Sequence, residues 1–145
     1  MRVALVSCVK SKRATPSPAK DLYTSELFQR MRKYAESISD RWYILSAEHG
    51  VLEPDQVISP YECTLNRMDR AARLRWADRV KAQLVDKMPE RAEVIVLAGE
   101  RYRNGLLPFL RDLGHTVRVP LEGLSFGRQL QRLGELLSTE TQSTS

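Results

Sequence analysis

Four short apolar runs, each closing on polar residues, constrain this chain more than anything else in it. Residues 3–6 lead into Ser7, Cys8, Lys10, Ser11, Lys12 and Arg13. Residues 42–45 lead into Ser46, Glu48 and His49. Residues 94–97 lead into Gly99, Glu100, Arg101, Tyr102 and Arg103, and residues 116–119 into Pro120 and Glu122. Segments of helical periodicity lie between the runs. That alternation is the pattern of an α/β fold with a mainly parallel sheet. With right-handed crossovers, four such strands build a single-domain three-layer α/β/α sandwich. In open sheets of this kind, ligands sit outside the carboxyl ends of the strands.

The element boundaries follow from periodicity and punctuation. Strands are expected at about 2–7, 41–46, 93–98 and 116–119. A helix is expected at 24–38, because Leu27, Phe28, Met31, Tyr34, Ala35 and Ile38 share one face. Thr24 or Ser25 can cap it. A second helix is expected at 66–87, with Ala72, Trp76, Val80 and Leu84 as its apolar stripe. A third is expected at 102–113, ended by Gly114. A fourth is expected at 125–137, with Phe126, Leu130, Leu133 and Leu137 inward. Residues 9–22, which contain Pro16 and Pro18, read as loop. Residues 47–65 read as a long irregular stretch, and such stretches inside small domains are usually functional.

The 145 residues suit one domain over 1–137, followed by a polar tail at 138–145 expected to be disordered. A hydrophobic fraction of 42% and a charged fraction of 28% are values of a folded chain. The net charge of +5 permits anionic partners without requiring them. The two cysteines, Cys8 and Cys63, match no metal-ligand spacing, so neither a metal nor another cofactor is expected. No apolar run approaches 18 residues, and the chain opens directly on a strand. No membrane partner is expected, and a cytoplasmic location is.

The polar strand ends supply the candidate site. Ser7, Cys8, Lys10 and Lys12 can hold an anion or present a lysine nucleophile, although the segment has no glycine and is no P-loop. Asp21, Tyr23 and Ser25 precede the first helix. Asp21 is a candidate general base, Tyr23 a stacking face, and Ser25 a ligand group or simply a cap. Ser46 and His49 leave the second strand, and His49 suits acid–base chemistry. His115 falls at the opposite end of the sheet, where no catalytic role is expected. Tyr61, after Pro60, offers a rigid aromatic face. Gly99 allows close approach of a ligand, while Arg101 or Arg103 can clamp a phosphate beside Tyr102. Glu122 is the polar group of the last loop.

Taken together, the motifs Ser-Cys-x3-Lys (7–12), Leu-Tyr-Thr-Ser-x-Leu-Phe (22–28), Leu-Ser-Ala-x-His-Gly (45–50), Pro-Tyr (60–61), Leu-Ala-Gly-x-x-Tyr (97–102) and Pro-Leu-x-Gly-Leu (120–124) resemble a bacterial and phage domain family of unknown function. More distantly, the opening is similar to the lyase-like domain of archaeosine synthase. That resemblance implies Lys12 as a nucleophile towards a deazaguanine nitrile. The order of elements also resembles the uracil-DNA glycosylase fold, but the Gly-Gln-Asp-Pro-Tyr and His-Pro-Ser motifs of uracil excision are missing.

These readings converge on an enzyme acting on a nucleobase or nucleoside, free or in nucleic acid, as an N-glycosidase or base-modifying enzyme. Lys12, Asp21 and His49 are the catalytic candidates. Ser7, Cys8, Lys10, Tyr23, Ser25, Ser46, Tyr61, Gly99, Arg101, Tyr102 and Glu122 are the substrate-binding candidates. A non-catalytic nucleic-acid or nucleotide-binding module, carried by Arg67, Arg70, Arg73, Arg75 and Arg79, is the first alternative. A small-molecule transferase or hydrolase is the second.

Overall fold

A five-stranded sheet forms the centre of the computed structural model, which describes residues 1–7, 12–61 and 65–143. Strand β1 (Arg2–Ser7) is followed by a short strand β2 (Ser17–Pro18), then by helices α1 (Ala19–Leu22) and α2 (Glu26–Ile38). Next come β3 (Arg41–Ser46), β4 (Gly50–Leu52) and β5 (Val57–Ile58). A 3-10 turn (Leu65–Arg67) precedes α3 (Arg70–Lys87) and β6 (Glu93–Leu97). Helices α4 (Glu100–Arg103) and α5 (Leu107–Asp112), strand β7 (Thr116–Arg118) and helix α6 (Phe126–Ser143) complete the chain.

The sheet order is β4-β3-β1-β6-β7. The four expected strands pair in parallel, and β4 adds an antiparallel edge. The expected four-stranded parallel core is therefore present, with one strand more. β1 is central, and Val3, Ala4, Leu5 and Val6 are fully buried. The chain steps from β1 to β3 on one side, crosses back over β1 to β6, and continues to β7. Right-handed crossovers then put α2 on one face and α3, α4 and α5 on the other. α6 returns to pack on α2, where Arg30 Nη1 donates to the Leu130 carbonyl at 3.0 Å. Helices thus flank both faces, as a three-layer sandwich requires.

Helix α2 buries the six residues expected of it, and Ser25 caps it by accepting from Phe28 N at 3.1 Å. Helix α3 buries Trp76, Ala77, Val80 and Leu84. It begins at Arg70 rather than 66, because Asp69 accepts from Ala72 N and sets the start there. In α6, Leu133 is fully buried, but Phe126 is exposed at the first position of the helix, contrary to the expected inward placement. The backbone of α6 continues through residues 138–143, where composition suggests a tail.

Two loop expectations and one helix expectation are corrected. Residues 9–22 contain β2 and α1, because Pro18 stands at the N-cap of α1 and leaves the helix after it undisturbed. Residues 47–65 contain β4 and β5. There Gly50, at φ +76°, turns the chain back so that Val51 and Leu52 bury against β3. The single helix at 102–113 is two helices, α4 and α5. Gly105 lies where a Cβ would press on Ala77, and Pro108 suits the first turn of α5.

Candidate functional site

The carboxyl ends of β3, β1 and β6 lie side by side. Ser7 ends β1 and pairs in register with Leu45, the residue before Ser46. On its other side, Ser7 Oγ accepts from Gly99 N at 3.4 Å. Adjacent strands are about 4.8 Å apart, so Ser46, Ser7 and Gly99 span roughly 10 Å along one edge.

On the β3 side, five candidates assemble into one cluster. Ser46 Oγ donates to Tyr61 Oη at 2.8 Å, and Tyr61 Oη shares a 2.5 Å hydrogen bond with Tyr23 Oη. Ser46 Oγ also accepts from His49 N at 3.1 Å, which anchors the turn after β3. The His49 ring stands edge-on to Tyr61, with centroids 5.3 Å apart, and its Nε2 is 3.8 Å from Glu48 Oε2. Lys12 Nζ lies 4.7 Å from the Tyr61 ring centroid and 6.0 Å from that of Tyr23, a cation–π arrangement. A β-bridge between Lys12 and Tyr23, with Arg13 N donating to the Leu22 carbonyl, holds the lysine there. An ammonium, an imidazole and three linked hydroxyls therefore share one place, with Ser46 and Tyr23 fully buried and Lys12 and His49 half-buried.

On the β6 side, a cleft of about 510 Å³ opens between the ends of β1 and β6. Ser7, Gly99, Arg101 and Tyr102 line it, together with Leu121 and Gln129. β1 and β6 are neighbours whose following segments leave to opposite faces of the sheet. This is the topological switch point at which open α/β sheets bind ligands. Arg101 is exposed and forms no hydrogen bond or ion pair among the described residues, so its charge is available to an anion. Arg103 is instead tied to the Ala98 carbonyl at 3.0 Å. A larger hollow of about 690 Å³ lies at the amino end of the sheet beside Met1 and Arg2, remote from all these groups.

Some candidates stand elsewhere or act differently. The Asp21 carboxylate, a candidate general base, is 2.7 Å from Arg32 Nη1 and makes none of the contacts that build the cluster. Burial would lower the Arg32 pKa, but hydrogen bonds to Asp21 and Glu36 outweigh it and hold the guanidinium above its ordinary value. Nearby, a hydrogen bond to Asp55 and its charge raise the pKa of Lys20. Ser25 serves as the cap of α2. The Tyr23 ring is fully covered, so its hydroxyl, not a stacking face, meets the site. Glu122 is exposed and does not line the cleft. His115 is buried at the amino end, where Nδ1 accepts from Ala92 N at 2.9 Å. Cys8 and Lys10 lie outside the described residues.

The apolar stripe of α3 conceals three supporting residues. Trp76 Nε1 donates to the Ser46 carbonyl at 2.8 Å, and its ring stands edge-on to Tyr102, joining the two halves of the site from beneath. Arg79 donates to the Glu48 carbonyl. Gln83 accepts from Val51 N at 2.8 Å and donates to the His49 carbonyl at 3.4 Å. Positions 76, 79 and 83 fall on one helical face, so polar residues flanking a buried tryptophan were the available signal.

The chain is 31% identical over 141 residues to the uncharacterized protein YfjM of Bacillus subtilis strain 168, an alignment covering 91% of this chain and 92% of that one. A family model matches residues 3–135, which takes in all of the sheet but Arg2, the Lys12–Tyr61–His49 cluster and the cleft. The chain belongs to that family of unknown function, DUF6884.

Proposed function

We propose that this protein is an enzyme acting on a nucleobase or nucleoside, and that it breaks the N-glycosidic bond. The observation that carries the reading is the lysine, imidazole and tyrosine grouping at the carboxyl edge, with Lys12 Nζ 4.7 Å and His49 5.3 Å from the same Tyr61 ring. The adjoining cleft of about 510 Å³ falls within the usual range of small-molecule sites. Arg101, at its rim, is positioned to receive a phosphate.

In this scheme Lys12 attacks as the free amine, having given a proton to solvent. Its Nζ forms a bond to the sugar C1′, and the C1′–N bond breaks with its electron pair going to the base. His49, as imidazolium, supplies the proton that the departing base takes up. Water then hydrolyses the lysine–sugar adduct, restoring the amine and leaving a hydroxyl on the sugar. Ser46 and Tyr61 hold His49 and Lys12 in register for these steps.

The test is mass spectrometry of small molecules released from single-stranded DNA, duplex DNA, tRNA and a nucleoside mixture. The wild type is expected to release a free base. Lys12→Ala, folded by circular dichroism, is expected to release none, and His49→Ala to be slowed by about 10²–10⁴-fold. Undiminished release by Lys12→Ala overturns the nucleophile, and no release from any substrate overturns the glycosidic reading.

A further inference from the structure

A second concavity, of about 350 Å³, opens between the first two turns of α3 and helix α4. Three guanidinium-bearing side chains line it, Arg70, Arg73 and Arg101, against a single carboxylate from Glu100. Asn104 adds an amide at the same rim. The arginines differ in how they are held. Arg73 is half-buried and fixed by donating to the Met68 carbonyl at 2.7 Å. Arg70 and Arg101 are exposed and make no hydrogen bond or ion pair among the described residues. Several other charged side chains on the helices are already paired: Arg30 with Glu26, Arg32 with Glu36, Lys81 with Asp78 and Lys87 with Glu53. The concavity therefore concentrates cations that the fold leaves unneutralised.

Its position gives the cluster meaning. Arg101 and Glu100 line both this concavity and the switch-point cleft, so the two are continuous around α4. Arg67, exposed at the end of the 3-10 turn that precedes α3 and packs against α4, adds a further cation beside it. A ligand filling the cleft while also reaching Arg70 and Arg67 must be longer than a nucleoside and must carry repeated negative charge.

We infer that Arg67, Arg70, Arg73 and Arg101 form a docking surface for the phosphodiester backbone of a nucleic acid strand, one nucleotide of which enters the cleft between β1 and β6. The inference rests on the base-directed reading of the site for what the docked strand is presented for. The docking itself stands on charge and continuity. Arg101 receives the phosphate next to the entering nucleotide, and Arg70 and Arg67 receive those that follow. Such contacts give affinity without sequence preference and make it fall with salt.

The experiment is fluorescence anisotropy with a labelled single-stranded DNA of roughly 15 nucleotides, about the span of one binding face, across a salt series. The proteins compared are the wild type, Arg70→Gln/Arg101→Gln, and Lys33→Gln/Arg128→Gln as a charge-matched control on exposed positions of the opposite helical layer. The docking surface predicts that the Arg70/Arg101 variant loses about tenfold or more in affinity. Its salt slope should be shallower by about 1.4, two contacts at about 0.7 each. The control should bind within about twofold of the wild type. Equal weakening by the control, or no binding by the wild type at low salt, overturns the surface. If binding depends on Arg70 and Arg101 while no base is released from any substrate, the surface stands and the glycosidic reading falls. If free nucleosides are cleaved and the strand is not bound, the reverse holds.

Discussion

Ser46 serves three neighbours at once: its hydroxyl donates to Tyr61 and accepts from His49 N, and its carbonyl accepts from Trp76. Replacing it with alanine leaves a buried phenol and a backbone N–H without that partner. Ser46→Ala is therefore expected to cost about 1–3 kcal/mol, read as a lower urea midpoint at unchanged slope. A cost near zero would mean that water replaces the hydroxyl and that the network is not structural. The sequence pointed to these five separately: Lys12, Ser46 and His49 after strand ends, Tyr23 before the first helix and Tyr61 after Pro60 in a long loop. Their joining through one hydroxyl chain was invisible to it, because residues 12 and 61 meet only across the fold. The partner of Asp21 was equally hidden. The position of Asp21 before α2 suggested a base, but Arg32, two turns into that helix, reaches back and takes its charge.

Among the elements, β4 best shows how a short segment can be hidden in what reads as loop. Three residues carry too little alternation to register as a strand, yet Gly50, Val51 and Leu52 are all buried. Gly50 makes the reversal possible. Its φ of +76° disfavours any side chain, and a Cβ there would collide with Gln83 Oε1, the group that binds Val51 N. Gly50→Ala should destabilise by about 1–2 kcal/mol from the backbone strain, and by more if Gln83 is displaced. Hydrogen exchange should show the loss concentrated in residues 49–52, the edge strand and the turn that carries His49. Uniform loss across the sheet would contradict this account. Helices α2 and α3 were legible from their length and periodicity, whereas the break between α4 and α5 was not, since it depends on how closely Gly105 approaches Ala77.

Across the whole molecule, β1 is the member on which both halves of the site depend. It pairs with β3 on one side and β6 on the other, and Leu5 at its centre is fully buried. Leu5→Ala should cost about 2–5 kcal/mol and lower the melting temperature for every probe together, because no part of the sheet can yield independently. Separate transitions for the β3 and β6 sides would show that the strand does not couple them. The amino-acid sequence alone determined the α/β/α class, the four parallel strands, the six-residue face of α2 and the edge at which polar residues gather. All of these follow from local periodicity and chain direction. Only the tertiary structure decided the strand order, and with it that β1 and β6 are the neighbours flanking a cleft. Only it selected which lysine, histidine and tyrosines touch, and which arginines the fold leaves unpaired. Those outcomes rest on contacts between residues far apart along the chain, and no local pattern encodes them.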